Sequence, residues 1–584
     1  MNLFTQLQRY IIDYAVPLII DKNDLTESVV QSITVEFPRD TSHGELATNV
    51  AMVLARPLKG KKNPREIAET LVKQIQQFHY IETAKVAGAG FINMRFKPAF
   101  WLQEVKVILR DGEQYGTSTI GLGKKVNVEY VSVNPTGPMH IGHARGAVIG
   151  DALANLLTKA SFDVTKEYYI NDAGAQIDML ARSVYARYRQ LYGEKAPMEQ
   201  GMYPGEYLIP VAEELKATYG GTLLGDEDEW LEEVKSFAVE TMMALIRDDL
   251  AQLGVVHDVF TSEQQVRDEG WLDKALEHLQ SHDLLYRGVL NPPRGKTVEE
   301  WEPTEQLLFR STRFHDDSDR PIQKSNGEYT YFAGDMGYAL HKLDRGFARL
   351  VMVLGADHSG YVARMKALVA ALSDDRAQLD VQIAQMVKFM DGGEQVTMSK
   401  RSGTFVTVRD VTDEIGKDIL RFIMLMRKPE QQLDFDLQKV KEQSKDNPVF
   451  YVQYAHARCK SLMRHAAQHH YDEVKLSQIA DHIDVSLLSS PADIQLIKIL
   501  THFPKQVEAA ALAYEPHRIA YYLYDVATEL HAFWNKGGED PNLRFIVEHQ
   551  PELTKARLAL ARAVAIVLAA GLQILGVTPA EEMR

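Results

Sequence analysis

The sequence predicts an α/β protein with a Rossmann-like parallel-sheet domain carrying an insertion, an N-terminal α/β domain and an all-α C-terminal domain. Three observations predict it. The 584 residues exceed what one hydrophobic core supports, and ordinary domain sizes suggest three or four. From Lys124 onward strand-like apolar runs alternate with helical periods, the pattern of a parallel sheet with crossover helices. From about Asp446 the chain repeats apolar residues at i, i+3, i+4 and i+7, as in "AYYLYDVATELHAFW".

Taken in order, residues 1–112 form the first domain. It has a strand in "SITVEFP", helices over "ELATNVAMVLARPL" (Glu45–Leu58) and "PREIAETLVKQIQQF", and a final strand in "GFINMRF". Asp111–Gly123 has the composition of a linker. Residues 113–445 open with the strand "KKVNVEYVSVN" and the helix "ARGAVIGDALANLLTKA". Between about 192 and 321 the chain turns acidic and helix-prone and reads as an insertion. Alternation resumes with "YTYFAGDMGYALHKLD", "RLVMVLGADHSGYVARMKALVAAL" and "VQIAQMVKF". Residues 446–584 are the helical domain. Its stretch "AVAIVLAAGLQILGV" is shorter than the roughly 18 residues that span a bilayer and contains Gln573, so a buried core helix is expected and no membrane span.

Cys459 is the only cysteine. That excludes disulfides within the chain and zinc sites built on paired cysteines, and it fits a reducing cytoplasm. The N-terminus has no signal-peptide pattern. A net charge of −15 argues against global attraction to nucleic acid, but contact depends on local patches such as the basic stretch Arg56–Glu66.

The chemistry concentrates in "VNPTGPMHIGHARGAV" (Val133–Val148). In an open parallel sheet, ligands bind beyond the carboxyl ends of strands, where helices begin. A helix N-terminus offers unpaired N–H groups and partial positive charge to phosphates. Pro135 and Pro138 suit the turn into the helix. His140 and His143 lie one helical turn apart as donors, and Gly142 leaves room for a flat base to approach the backbone. A second stretch, "VTMSKRSGTF" (Val396–Phe405), puts Lys400 on a small polar loop able to close over a phosphate.

"HIGH" (His140–His143) followed far downstream by "TMSKR" (Thr397–Arg401) resembles the signature pair of the class I aminoacyl-tRNA synthetases. Thr397 and Arg401 depart from the usual Lys-Met-Ser-Lys-Ser, while the lysine that the family uses for transition-state stabilisation is present as Lys400. The resemblance implies ATP as a substrate with Mg2+ on its phosphates, ATP contacts from Pro135, Gly137, His140, Gly142, His143, Met398, Ser399 and Lys400, and catalysis by His140, His143 and Lys400. In-line attack of a carboxylate on the α-phosphate needs positioning and charge stabilisation, with no covalent nucleophile.

For the amino acid, Glu129 lies on the strand entering the motif and Asn134 ends it, while Tyr331 and Asp335 are four apart on a helical segment with Tyr338 nearby. Acids there suggest a cationic substrate, and a carboxylate can bind a guanidinium bidentately. Longer stretches, "VEYVSVNPTGPMHIGHARGAVIGDALANLL", "YYINDAGAQI", "GADHSGY", "KDNPVFYVQYAHAR" and "LQILGV", resemble bacterial-type arginyl-tRNA synthetase over essentially the full length. That resemblance implies arginine binding by Glu129, Asn134, Tyr331 and Asp335, with Asp357 or His358 as a further polar contact. It also implies a tRNA(Arg) partner whose D-loop base meets Phe91 and Asn93 of the N-terminal domain, and an anticodon-binding helical domain, where Tyr451, Tyr454 and Arg458 share a face. A monomer without bound zinc is expected. Two other readings compete: a catalytically silent tRNA-binding relative, and an enzyme for glutamine, glutamate or lysine.

Overall fold

The computed structural model describes residues 3–38, 43–58, 62–290, 304–396, 406–442, 444, 447–468 and 482–583. In the N-terminal domain, β1 (Val35–Glu36), β2 (Leu46–Thr48), β3 (Ile81–Ala87) and β4 (Phe91–Phe96) form an antiparallel sheet in the order β1-β2-β4-β3. Strand β4 obeys the two-residue period: Ile92, Met94 and Phe96 are buried, while Phe91, Asn93 and Arg95 alternate with them toward the other face. The helix expected over Glu45–Leu58 starts only at Val50. Its first part is β2, because Leu46, Ala47 and Thr48 pair with Met94, Asn93 and Ile92, and tertiary pairing overrides helical propensity. Helix α1 (Pro64–Ile75) begins in a reciprocal cap between Asn63 and Glu66, and α2 (Pro98–Asp111) closes the domain.

The next region runs β5 (Lys125–Glu129), α3 (Ile141–Lys159), β6 (Asp163–Ile170), α4 (Ala175–Gln190), α5 (Leu208–Tyr219), α6 (Glu227–Gln252), β7 (Val259–Ser262) and α7 (Trp271–Ser281). A small antiparallel sheet follows from β8 (Leu285–Gly288), β9 (Gln306–Phe309) and β10 (Arg320–Gln323). Then come α8 (Tyr331–Asp344), β11 (Arg349–Gly355), α9 (Val362–Leu372) and β12 (Gln378–Ala384). The central sheet has the order β12-β11-β5-β6-β7 with parallel neighbours throughout. The chain builds outward from β5 through β6 to β7, then returns to lay β11 and β12 on the other side. This reversal opens a crevice beyond the carboxyl ends of β5 and β11.

The insertion expected at 192–321 is therefore not continuous. Strand β7 rejoins the central sheet inside that span, paired to β6 from Glu167↔Val259 to Ile170↔Ser262. With four residues and no second neighbour, this edge strand carries too short a period to stand out between helices.

Strands β13 (Val387–Asp391), β14 (Glu394–Gln395) and β15 (Leu433–Asp436) form a third sheet at the exit of the domain. The helical domain follows, with α10 (Pro448–Gln468), α11 (Pro491–Thr501), α12 (His517–Glu539) and α13 (Pro551–Ile574). Helix α13 runs 24 residues, longer than the apolar stretch read from sequence and long enough to cross a membrane, but 83% of its most apolar window is buried in the fold. It is a core helix.

One side chain joins these parts. Arg421, wholly buried, donates to Asp151 Oδ2 on α3 (2.5 Å), to the Leu253 carbonyl just after α6 (3.0 Å) and to the Leu575 carbonyl after α13 (2.9 Å). Gly576 permits this approach: its φ of +67° is left-handed, and a Cβ there would lie 2.0 Å from the guanidinium. Asp151 also accepts from Lys166 at 2.8 Å, and these two cations outweigh burial to hold its carboxyl below the usual range. Replacing Arg421 by Met would leave the buried Asp151 with Lys166 alone and two buried carbonyls without their donor, and is expected to cost about 3–5 kcal/mol. A scanning-calorimetry trace should show the C-terminal domain unfolding at clearly lower temperature; an unchanged trace would refute the role given to this joint.

Candidate active site

Beyond β5 the chain turns through Val131 and Ser132, both left-handed at φ 74° and 42°. Such backbone is uncommon for these residue types and survives only when its surroundings impose it. Here Ser132 Oγ donates to Glu129 Oε1 (3.3 Å) and accepts from the Tyr169 N–H (3.0 Å), while Tyr168 OH donates to the Val133 carbonyl (2.7 Å). Pro135 and Gly137 are buried. Tyr207 covers Gly137 so closely that a Cβ there would lie 3.0 Å from the ring, and its hydroxyl donates to the Thr136 carbonyl at 2.7 Å.

His140 is the N-cap of α3. Its neighbourhood is pinned by a second chain segment: the Ile141 N–H donates to the Val406 carbonyl (3.0 Å), the Val408 N–H donates to the Met139 carbonyl (2.9 Å), and His140 bridges Thr407. The Met139 N–H is held by Asp249 at the end of α6 (3.1 Å). The rings of His140 and His143 stack at 3.5 Å, and the His140 N–H donates to His143 Nδ1 at 3.3 Å. The space over Gly142, expected to admit a base, is lined by the His140 ring, 3.0 Å from where a Cβ would sit.

Met398, Ser399 and Lys400 lie outside the described residues. The chain just after them is the segment bonded to the histidine turn. The described chain resumes at Val406, six positions after Lys400, and Val406 and Val408 bond the histidine turn.

Glu129 ends β5 and is level with Glu167 on β6. Two carboxylates side by side and buried demand cations. Lys342 on α8 bonds Glu129 and lies 4.1 Å over the Tyr338 ring, while Arg345 donates to Glu167 Oε2 (2.5 Å). Asn127 (2.5 Å), Thr261 (2.6 Å) and Tyr338 (3.1 Å) also donate to Glu167. Burial pushes the Glu167 carboxyl up, but Lys342, Thr261 and Arg345 together hold it below the usual range. Sequence reading missed Glu167, Lys342 and Arg345; the available signal was a Glu at an inward position of the strand "DVTKEYYI".

Asp335, also on α8, differs. Among the described residues it has no hydrogen-bond or ion-pair partner, and burial, with Glu129 and Glu263 beside it, raises its carboxyl to about 7. Glu263, half-buried after β7, is a further acid that sequence reading did not name; burial raises it too. Tyr331, at the head of α8, is 94% exposed. The Asn134 amide donates to Gln176 (2.8 Å) and accepts from Asn171 (2.9 Å). Asp357 follows β11 at the crevice mouth, exposed and 3.4 Å from His358. On the N-terminal sheet Phe91 is 44% exposed rather than core, with Asn93 two positions on and Lys85 level with it on β3. In the helical domain Tyr451 packs on Tyr524 and His531, while exposed Tyr454 meets Arg458 (2.9 Å).

Comparison with known proteins covers all three regions. Family models described as the arginyl tRNA synthetase N terminal domain, the class I (R) tRNA synthetase catalytic domain and the DALR anticodon binding domain match residues 8–96, 104–203 and 452–583. An arginine–tRNA ligase of Cereibacter sphaeroides (strain KD131) is 53% identical over 586 residues, with 100% of both chains covered. One from Rhizobium meliloti is 52% identical over 588 residues, again with 100% of both covered. Among solved structures, a putative arginyl-tRNA synthetase from Campylobacter jejuni aligns at TM-score 0.71 and 29% identity, covering 84% of this chain and 100% of that one. The Thermus thermophilus arginyl-tRNA synthetase shares the fold at TM-score 0.71 and 23% identity, covering 94% and 96%.

The charge ladder makes a testable demand. Lys342→Met leaves Glu167 with burial and one cation fewer, an expected loss of about 3–5 kcal/mol at neutral pH. A depressed carboxyl contributes stability above its unfolded value near 4.3 and loses it as pH falls through the folded value. The penalty in urea unfolding should therefore be full at pH 7 and shrink below about pH 4. A penalty independent of pH would show that Lys342 acts through packing alone.

Proposed function

The chain belongs to the arginyl-tRNA synthetase family, class I arginine–tRNA ligases that activate L-arginine with ATP and esterify it onto the 3′ end of tRNA, and from that premise we propose which of its residues carry the reaction. The observation that carries the reading is the junction at His140, where strand, turn, helix N-terminus and the root of the Lys400 loop meet.

The first half-reaction places the arginine carboxylate in line with the ATP α-phosphate, and pyrophosphate leaves. The α3 N-terminus receives the phosphates, contributing about 0.3–1 kcal/mol and up to ~2 when partly buried. His140 and His143 donate to the phosphate oxygens, and Pro135, Gly137, Gly142, Met398 and Ser399 shape the nucleotide pocket. Lys400 closes on the loop rooted at Val406 and stabilises charge spreading onto the leaving pyrophosphate. Mg2+ enters with the phosphates as part of the substrate.

Asp335 is the carboxylate for the guanidinium. Lys342 is paired with Glu129, whereas Asp335 has no ion-pair partner among the described residues and the more distant Arg364 and Lys342 do not offset its burial; a contact at ~4 Å is worth about 4 kcal/mol before desolvation. Glu129 and Asn134 then frame the α-amino end, with Tyr331 and Asp357 at the mouth. Phe91 and Asn93 suit an unpaired base, by stacking and an amide hydrogen bond. We infer a cytoplasmic monomer, since these elements complete one site within one chain.

ATP–pyrophosphate exchange with each amino acid, with and without tRNA(Arg), tests the assignment. Arginine alone should support exchange; exchange with lysine or glutamine in its place would overturn the role of Asp335. Lys400→Ala should lower exchange by about 10²–10³-fold, the usual cost of losing one transition-state donor, while tRNA affinity holds. The pH dependence follows from Asp335. Its carboxyl is neutral below about 7 and the guanidinium needs it ionised, so KM for arginine should fall roughly tenfold between about pH 6 and pH 8. Asp335→Asn should raise KM and flatten that profile. A wild-type profile already flat would count against the assignment.

A further inference from the structure

Away from the crevice, α7 and the turn after α9 bring together three groups that the family chemistry does not use. His278 and His282 are four apart, with rings stacked at 4.4 Å. Both Nε2 atoms lie 3.5 Å from Asp374 Oδ1, and one ligand atom from each residue fits within 4.8 Å of the others. We propose that His278, His282 and Asp374 bind a divalent transition-metal ion of the Zn2+ type.

The tautomer of His282 carries the argument. Its Nδ1 lies 2.8 Å from the His278 carbonyl, which can only accept, and 3.0 Å from Ser281 Oγ, whose own proton goes to that same carbonyl at 2.8 Å, so the proton of a neutral ring sits on Nδ1. Nε2 then points a lone pair at a carboxylate oxygen 3.5 Å away. Two acceptors face each other, and a cation between them turns repulsion into ligation. A backbone carbonyl holding the far nitrogen is also how metal-ligating histidines are usually oriented. The carboxylate is oriented as well: Arg376 Nη2 donates to Asp374 Oδ2 at 3.1 Å, leaving Oδ1 for the metal.

The spacing agrees. Metal–ligand bonds of about 2.0–2.1 Å in a tetrahedron give ligand–ligand edges of roughly 3.3 Å, close to the two 3.5 Å separations. His278 Nε2 also lies 3.3 Å from the Ala371 carbonyl, so its proton moves to Nδ1 when the metal arrives. Two imidazoles and one carboxylate suit Zn2+ or Co2+ better than Mg2+, and the fourth position faces solvent. Such an ion would tie α7 to the end of α9, the helix that follows the Asp357 turn. The sequence reading expected no metal because it sought cysteine ligands, and here two helical histidines meet an aspartate 92 positions after His282.

The test is isothermal titration of the chelator-treated full-length protein with Zn2+, together with the visible spectrum of its Co2+ form. One saturable site is expected, with His282→Ala and Asp374→Asn each weakening it by about tenfold or more, since even losing an outer partner of a metal ligand costs 10–100-fold. Zn2+ should raise the thermal midpoint of the wild type and not of these variants, while arginine-dependent exchange stays unchanged in all three. Binding of equal affinity in both variants would place the ion elsewhere, His140 and His143 included, and overturn the proposal. So would the absence of saturable binding in the wild type.

Discussion

The architecture hangs on a buried guanidinium. Arg421 satisfies Asp151 of the histidine-bearing helix, a carbonyl after α6 and a carbonyl after α13 with one planar group. An uncompensated charge there would cost several kcal/mol, so the three segments cannot separate cheaply. The α3 helix is anchored a second time by Arg145, whose buried guanidinium donates to the carbonyls of Gln385, Lys428 and Gln431. Displacing the last turn of the helical domain must move α3 with it or break a bond to a buried charge. The C-terminal helical domain is thereby mechanically continuous with the helix that begins at His140.

The same accounting of charge separates the paired acids from the unpaired one. Glu129 and Glu167 are level on adjacent strands, and each has its own cation in Lys342 or Arg345. Asp335 stands near them without an ion-pair partner among the described residues, and burial with Glu129 and Glu263 outweighs Arg364 and Lys342 to raise it to about 7. A pocket whose acids were all compensated would have no electrostatic preference for arginine, and one whose acids were all bare would not fold at neutral pH. In the proposed assignment, pairing Glu129 and Glu167 and leaving Asp335 unpaired reconciles stability with selectivity.

What the sequence revealed follows from the range of each interaction. The strand–turn–helix around His140 was legible because period, proline placement and capping are local. The N-terminal strand "GFINMRF" and the apolar α13 were legible for the same reason. Strand β2 was not: Leu46–Thr48 has helical neighbours in sequence, and its strand state comes from β4 more than forty residues on. The partners of Glu129 and Glu167 were invisible for a stronger reason. Lys342 lies 213 residues from Glu129 and Tyr338 lies 171 from Glu167, and periodicity tells which face turns inward but not what it meets. Family resemblance supplied Asp335 and Tyr331 as a pair; that one is partly buried and the other 94% exposed is a matter of tertiary packing.

The histidine pair itself argues for a division of labour. Two rings stacked at 3.5 Å would repel each other if both were charged. His143 Nδ1 accepts from the His140 N–H, which leaves the proton of a neutral His143 on Nε2 as an outward donor. A neutral donor of this kind binds a phosphate oxygen without demanding a proton from solvent, and it leaves the strong positive charge to be delivered separately. In the proposed assignment that charge is supplied by Lys400, six positions before Val406, whose carbonyl accepts from the Ile141 N–H at the same helix start.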